Sequence, residues 1–293
     1  MFNRYREEQF KEYKEARGFF LQNPDRLIQI ERFCMNILTG FINEYHEEIK
    51  NDYNEASFLY PFWQNYPPDE RGRQPKGDQY PWIEVGEHVF CPKISRFLAK
   101  SFKVRDAGIP TGPDDRYILT APAIHEILKI TDSFWLFIDI KSVGPRDDQD
   151  HAVMSHNQIS GDGVWDKKDN GVVNKVLTAT GKRVSHLFHC AIPPVFILSD
   201  STIVPIVHMV LKPVYTMRGL TDSEPGQPLS RVTLAVIPNG ILLTENPGYL
   251  KLYPGLFFPG KDDKEKNQKK IRARVSFAVL RRLADWRYAD IPF

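Results

Sequence analysis

A chain of 293 residues can bury a large core, and an apolar content of 42% excludes general disorder. The net charge of +2 does not by itself mark a polyanion binder, and three widely spaced cysteines, Cys34, Cys91 and Cys190, argue against a disulfide framework. No uninterrupted apolar run approaches the roughly 18 residues that cross a bilayer, and the charged start Met1 to Glu8 lacks the apolar core of a leader, which together predict a soluble, cytoplasmic chain.

The pattern predicts a helix over residues 4–20. A second follows over 23–40, with Asn23 as cap, Pro24 in the first turn, and Leu27, Ile30, Cys34, Ile37 and Leu38 at helical spacing before Gly40. Residues 52–82 carry Pro61, Pro67, Pro68, Pro75 and Pro81 and are expected to be an irregular, aromatic-rich connection. Helices are expected over 94–102 and 122–130, the latter capped by Thr120, and a strand over 134–143. Residues 144–171 are rich in Asp, Asn and Gly. They read as a long loop, whose position just after that strand favours a functional role. Further on, His186, His189 and Cys190 have the residue types of a zinc site but no second ligand pair at suitable spacing, so ordinary packing is the better reading. Segments 195–198, 203–214 and 231–237 are rich in β-branched residues and predict sheet. The expected architecture is mixed α/β in a single domain spanning 1–293, with a helical N-terminal region (1–80), a catalytic core (81–215) and a sheet region (216–293).

The strand over 134–143 carries the first chemical signal. Phe134, Trp135, Leu136, Phe137 and Ile138 lead into Asp139-Ile140-Lys141, and alternation along a strand puts Asp139 and Lys141 on one face with Ile138 and Ile140 packed behind. An acid two residues before a lysine also occurs at Glu12, Glu48, Asp166 and Asp262, but only Asp139 ends an apolar run. A second carboxylate from a neighbouring element, such as Asp114 after Pro113, would complete a magnesium-dependent phosphodiesterase site, because magnesium takes oxygen ligands. A structural ion pair at a strand end is the competing reading.

The second signal is charge asymmetry. Between Lys261 and Arg287 ten basic residues face four acids, a local charge of +6. Within residues 271–277 a strand would bury Ile271, Ala273 and Val275 and present Arg272 and Arg274 together, two planar donor forks that fit guanine O6 and N7. Lys261 can also donate to guanine, and Asp263 suits the amino group of cytosine. Base reading of G·C pairs and an exposed strand edge carrying ion pairs both remain open on these residues alone.

Many blocks, in order and along nearly the whole chain, resemble the BglI family of type II restriction endonucleases, within the PD-(D/E)xK superfamily. They include Asp52-Tyr53-Asn54-Glu55-Ala56, Pro75-Lys76-Gly77-Asp78-Gln79, Trp82-Ile83-Glu84-Val85-Gly86-Glu87, Pro110-Thr111-Gly112-Pro113-Asp114, Asp139 through Asp147, Asn246-Pro247-Gly248-Tyr249 and Pro259-Gly260-Lys261-Asp262-Asp263. The resemblance implies a central mixed sheet flanked by helices and a homodimeric, Mg2+-dependent enzyme that cuts both strands of double-stranded DNA at GCCNNNNNGGC. In it Asp114 and Asp139 hold the metal, Lys141 serves the attacking water, and Glu87 is a further candidate carboxylate. Asp147, Lys261, Asp263, Arg272 and Arg274 are implied to read bases, and a DNA methyltransferase to protect the host genome. The interval from Asp114 to Asp139 is one residue shorter than the family pattern. Residues 162–190 and the last dozen match poorly. A structure-specific repair or recombination nuclease and a non-catalytic DNA-binding protein are the alternatives.

Overall fold

The computed structural model describes residues 2–58, 82–106, 115–144, 148–166, 171–174, 176–180, 185–216, 228–259 and 272–293. Helix α1 spans Phe2–Gln22, and α2 spans Pro24–Glu44. Pro24 takes the first turn as expected, but the Asn23 amide caps nothing ahead of it and instead donates back to Phe19 O at 2.9 Å, closing α1. Gly40 does not end α2 either. Phe41 and Ile42 continue its buried stripe, and packing outweighs the modest helix cost of one glycine. The expected irregular stretch begins later than predicted, since His46–Phe58 forms α3, anchored by fully buried Ile49 and Tyr53; residues 59–81 lie outside the described residues. Helix α4 runs from Trp82–Leu98 rather than from residue 94. Gly86 and Pro92 lie inside it, and buried Val89, Phe90, Ile94 and Leu98 secure the helix.

Strands β1 (Lys103–Asp106) and β2 (Asp115–Thr120) follow, then α5 (Pro122–Leu128) and β3 (Ser133–Ile140). Thr120 is not a cap. It ends β2, with its hydroxyl 2.7 Å from that of Ser133, and the cap position falls to Ala121. Residues 144–171 are less loop-like than predicted, for they contain β4 (His151–Ser155) and β5 (Gly163–Asp166). Ala152 and Met154 are buried by pairing with a strand far along the chain, a contact that no local pattern announces. Next come β6 (Gly171–Asn174), β7 (Val176–Thr180), β8 (Ser185–His189), β9 (Val195–Ile197), β10 (Ile203–Tyr215) and β11 (Leu229–Ile237). Short helices α6 (Gly240–Thr244) and α7 (Tyr249–Leu252), β12 (Phe257–Pro259), β13 (Arg272–Ser276), α8 (Phe277–Leu283) and β14 (Tyr288–Pro292) complete the described chain.

The main sheet has the order β1-β2-β3-β10-β11-β14, with β9 also on β10. Among the described strands of this sheet only β3 and β10 run parallel, with Asp139 opposite Val210, so the sheet is mixed. Alternation sorts its two faces. Leu136, Ile138, Ile140, Met209 and Leu211 join the apolar stripe of α2, whereas Val210, Ala235 and Ile237 pack against Ala152, Met154, Ala273 and Val275 of a second sheet, β12-β13-β4. Asp139 shares the parity of Trp135 and Phe137 and therefore faces away from α2.

An ion pair and a histidine are among the ionisable groups sealed inside. Glu31 on α2 meets Arg287 at 2.6 Å, both side chains fully buried, and its other oxygen accepts the Asn239 N–H at 2.6 Å. His208 on β10 packs edge-on to Phe137 at 5.2 Å, and burial lowers its pKa from 6.5 to about 3. The folded ring is neutral, so unfolding takes up a proton at pH below about 6.5. The associated stability is complete above that pH and is lost as pH falls toward 3, at up to about 1.4 kcal/mol per pH unit. Urea denaturation at successive pH values should give His208→Leu a shallower acid decline than the parent chain. Equal slopes would assign the acid sensitivity to other groups.

No helix among the described residues is long and apolar enough to cross a membrane.

Candidate active site

Beyond Ile140 the pairing of β3 with β10 persists, with Lys141 N donating to Leu211 O and Val143 N to Pro213 O, each at 2.9 Å. Lys141 is thus held in strand-like register, and its side chain emerges beside that of Asp139. The Lys141 Nζ lies 2.7 Å from Asp139 Oδ2; Asp139 is 1% exposed, and the lysine side chain is 26% exposed. The Gln158 amide donates to Asp139 Oδ1. A carboxylate removed from water in this way is held by an amide hydrogen bond on one oxygen and an ammonium beside the other.

Helix α4 lies against the end of β3 through Gly86. A Cβ at that position would collide with Ser142 Oγ and meet Ile140 Cγ2 and Pro213 Cγ at 3.4 Å, which explains a glycine inside a helix here. Glu87, the next residue, is half-buried on that closely packed helix. Asp114 lies outside the described residues. Asp115, which follows it, opens β2 opposite Ile138, the residue before Asp139.

On the small sheet, β13 pairs with β4, placing Arg272 opposite Ser155 and Arg274 opposite Val153. Ala273 and Val275 are fully buried, Arg272 is exposed and Arg274 half-buried, so the alternation read from sequence is present; Ile271 lies outside the described residues, as do Asp147, Lys261 and Asp263. Arg274 Nη1 lies 3.5 Å from Asp148 Oδ2, with its guanidinium 5.8 Å from the Phe258 ring centre. Asp148 also pairs with His151 Nδ1 at 2.7 Å.

Sequence reasoning missed Asp148, Gln158 and Lys212. Lys212 is a buried lysine on β10 whose ammonium donates to Asp148 O and, at 2.7 Å, to His151 O, tying the start of β4 to the main sheet. A lone lysine inside the apolar run of β10 was the available signal for it; Gln158 had none. Cys190 packs in the second apolar cluster, where burial pushes its thiol well up.

The ligand atoms that Asp139 offers at the end of β3 are carboxylate oxygens with cationic and amide support, the ligand type that suits a hard divalent cation rather than a soft one. Among the described residues no three His, Cys, Asp or Glu side chains cluster in a way that could hold a metal, the second expected carboxylate, Asp114, being outside them.

A family model, restriction endonuclease BglI, matches residues 8–291. The chain belongs to the BglI restriction endonuclease family. It is a type II restriction endonuclease, 47% identical over 285 residues to the type II restriction enzyme BglI of Bacillus subtilis, which covers 96% of this chain and 95% of that enzyme. The crystal structure of BglI bound to its DNA recognition sequence superposes with a TM-score of 0.90 at 46% identity, covering 100% of this chain and 99% of the other. The tetrameric restriction endonuclease SfiI bound to cognate DNA matches at a TM-score of 0.59 and 13% identity over 92% of this chain and 85% of that one, a likeness of fold alone. The mixed sheet with flanking helices is accordingly the restriction-endonuclease fold expected from the sequence.

Proposed function

We propose that this single-domain enzyme acts as a cytoplasmic homodimer on double-stranded DNA at GCCNNNNNGGC, with magnesium, leaving 5'-phosphate and 3'-hydroxyl ends with a 3' overhang. The observation that carries the reading is the buried Asp139, paired with Lys141 on the sheet face that also packs the strand bearing Arg272 and Arg274. A palindromic target is served by two copies related by a two-fold axis, one per half-site. A host that carries such an enzyme needs a methyltransferase to shield its own sites.

Asp114 and Asp139 would hold the cation, with Glu87 as a further carboxylate. When bound, the cation supplies Lewis-acid stabilisation of the charge that builds on the phosphate. Lys141 places an ammonium beside Asp139, where it orients the attacking water and offsets developing negative charge. Water oxygen bonds to phosphorus as the bond to the 3'-oxygen breaks, and the departing oxygen takes up a proton. Mapping the ends cut from a plasmid of known sequence reports target and overhang together; random fragments would reject the site-specific reading.

Asp147, Lys261, Asp263, Arg272 and Arg274 would read the half-site. Three basic donors and two acidic acceptors suit a target made wholly of G·C pairs. Arg272→Ala and Arg274→Ala should each cost about 1 to 3 kcal/mol of discrimination at one G·C pair, measured by competition binding in calcium against single-pair variants. Uniform weakening on every sequence would instead mark a phosphate contact. The Asp148 carboxylate and the Phe258 ring already orient the Arg274 guanidinium, so less side-chain freedom is lost when it seats on a base.

A further inference from the structure

The segment after β4 carries a side chain that the hydrolysis above leaves without a role. Gln158 donates its amide N–H to Asp139 Oδ1, accepts the Ser155 N–H on its amide oxygen at 2.8 Å, and returns its own backbone N–H to Ser155 O at 3.0 Å. Ser155 ends β4 directly opposite Arg272. One amide therefore has one end on the carboxylate of β3 and the other on backbone paired with the arginine strand.

The ground on which Gln158 stands is fixed from behind. Gly161 N donates to Ile192 O at 2.9 Å, Gly240 N donates to Ser160 Oγ at 2.9 Å, and Arg17 grips both oxygens of Asp162 at 2.8 and 2.6 Å. Ser160 and Asp162 are fully buried. At the other end of β4, Lys212 clamps the carbonyls of Asp148 and His151. A strand secured at both ends passes on a change in the register or tilt of its partner instead of absorbing it by local fraying.

We propose that Gln158 is a positioning residue through which the arginine strand acts on Asp139. Seating of Arg272 and Arg274 on bases sets β13 against β4, the β4 end sets Ser155, and Gln158 carries that setting to the plane of the Asp139 carboxylate. Lys141 on Oδ2 and Gln158 on Oδ1 together arrest rotation of the carboxylate, so its orientation follows the position of Ser155. This inference rests on the reading of Asp139 as a cation-holding group.

Gln158→Met keeps the length of the side chain and removes its hydrogen bonds. Single-turnover cleavage of a plasmid carrying one GCCNNNNNGGC site is measured in magnesium at saturating enzyme for the parent chain, Gln158→Met, Arg272→Ala, their double variant and Asp139→Ala, with calcium-supported binding and melting temperature alongside. Gln158→Met is expected to cleave about 10- to 100-fold more slowly, the usual loss when a partner of a metal-holding group is removed, while its calcium-supported binding and melting temperature stay at parent levels. Adding Gln158→Met to Arg272→Ala should slow cleavage by much less than Gln158→Met alone, because both break one path. Parent-rate cleavage by Gln158→Met, fully multiplicative losses in the double variant, or binding and melting that fall together with rate would each overturn the proposal. An inactive Asp139→Ala beside a fully active Gln158→Met removes only this role, whereas an active Asp139→Ala rejects the site itself.

Discussion

Asp139→Ala is expected to lose at least about a thousand-fold in cleavage while still binding its target specifically in calcium. Charge stabilisation at a metal site is worth several kcal/mol, and each 1.4 kcal/mol or so is a factor of ten in rate, so loss of the buried carboxylate removes about three powers of ten or more. Folding should survive the change. Ile138 and Ile140 supply the packing on the opposite face of β3, and truncation relieves the strand of a desolvated charge. Lys141 then loses the carboxylate beside it but keeps partial exposure and so tolerates the loss. Magnesium-dependent cutting at the parent rate would remove Asp139 from the chemistry.

Arg287→Met should destabilise the protein by about 3 to 5 kcal/mol, the usual consequence of breaking a buried ion pair and leaving one charge behind. Burial already pushes the Glu31 carboxyl above its ordinary range, and Arg287 is the largest influence opposing that rise. Without the arginine, Glu31 is driven further toward its protonated form. The deficit should therefore be greatest near neutral pH and shrink as pH falls and the carboxyl takes up its proton. Glu31→Gln in the same chain should recover part of the loss, since an uncharged amide is cheaper to bury. Chemical denaturation at two pH values checks all three points; a deficit independent of pH would show that Arg287 contributes packing against Trp286 and Tyr249 instead of charge.

How much was legible in advance follows from the range of the interactions. The pairing of Asp139 with Lys141, and the burial of Ala273 and Val275 between two arginines, depend only on alternation within one strand, and both are present. Helix α2 announced itself by its apolar stripe. Its end at Gly40 was misplaced because tertiary contacts of Phe41 and Ile42 override local propensity. The same override carried α4 through Gly86 and Pro92. β4 was read as loop because Ala152 and Met154 acquire their meaning from β13, more than a hundred residues away.

By itself the sequence determined the family, the mixed architecture, the Asp139–Lys141 strand end and the arginine pair of β13, because blocks of residues and a period of two are properties of neighbours in the chain. Only the tertiary structure decided that Gln158 reaches Asp139, that Asp148 meets Arg274, and that Lys212 ties the two sheets together. Each of those contacts joins segments that lie apart in sequence. Folding supplies their geometry by burying both faces of the main sheet at once, against α2 on one side and the small sheet on the other.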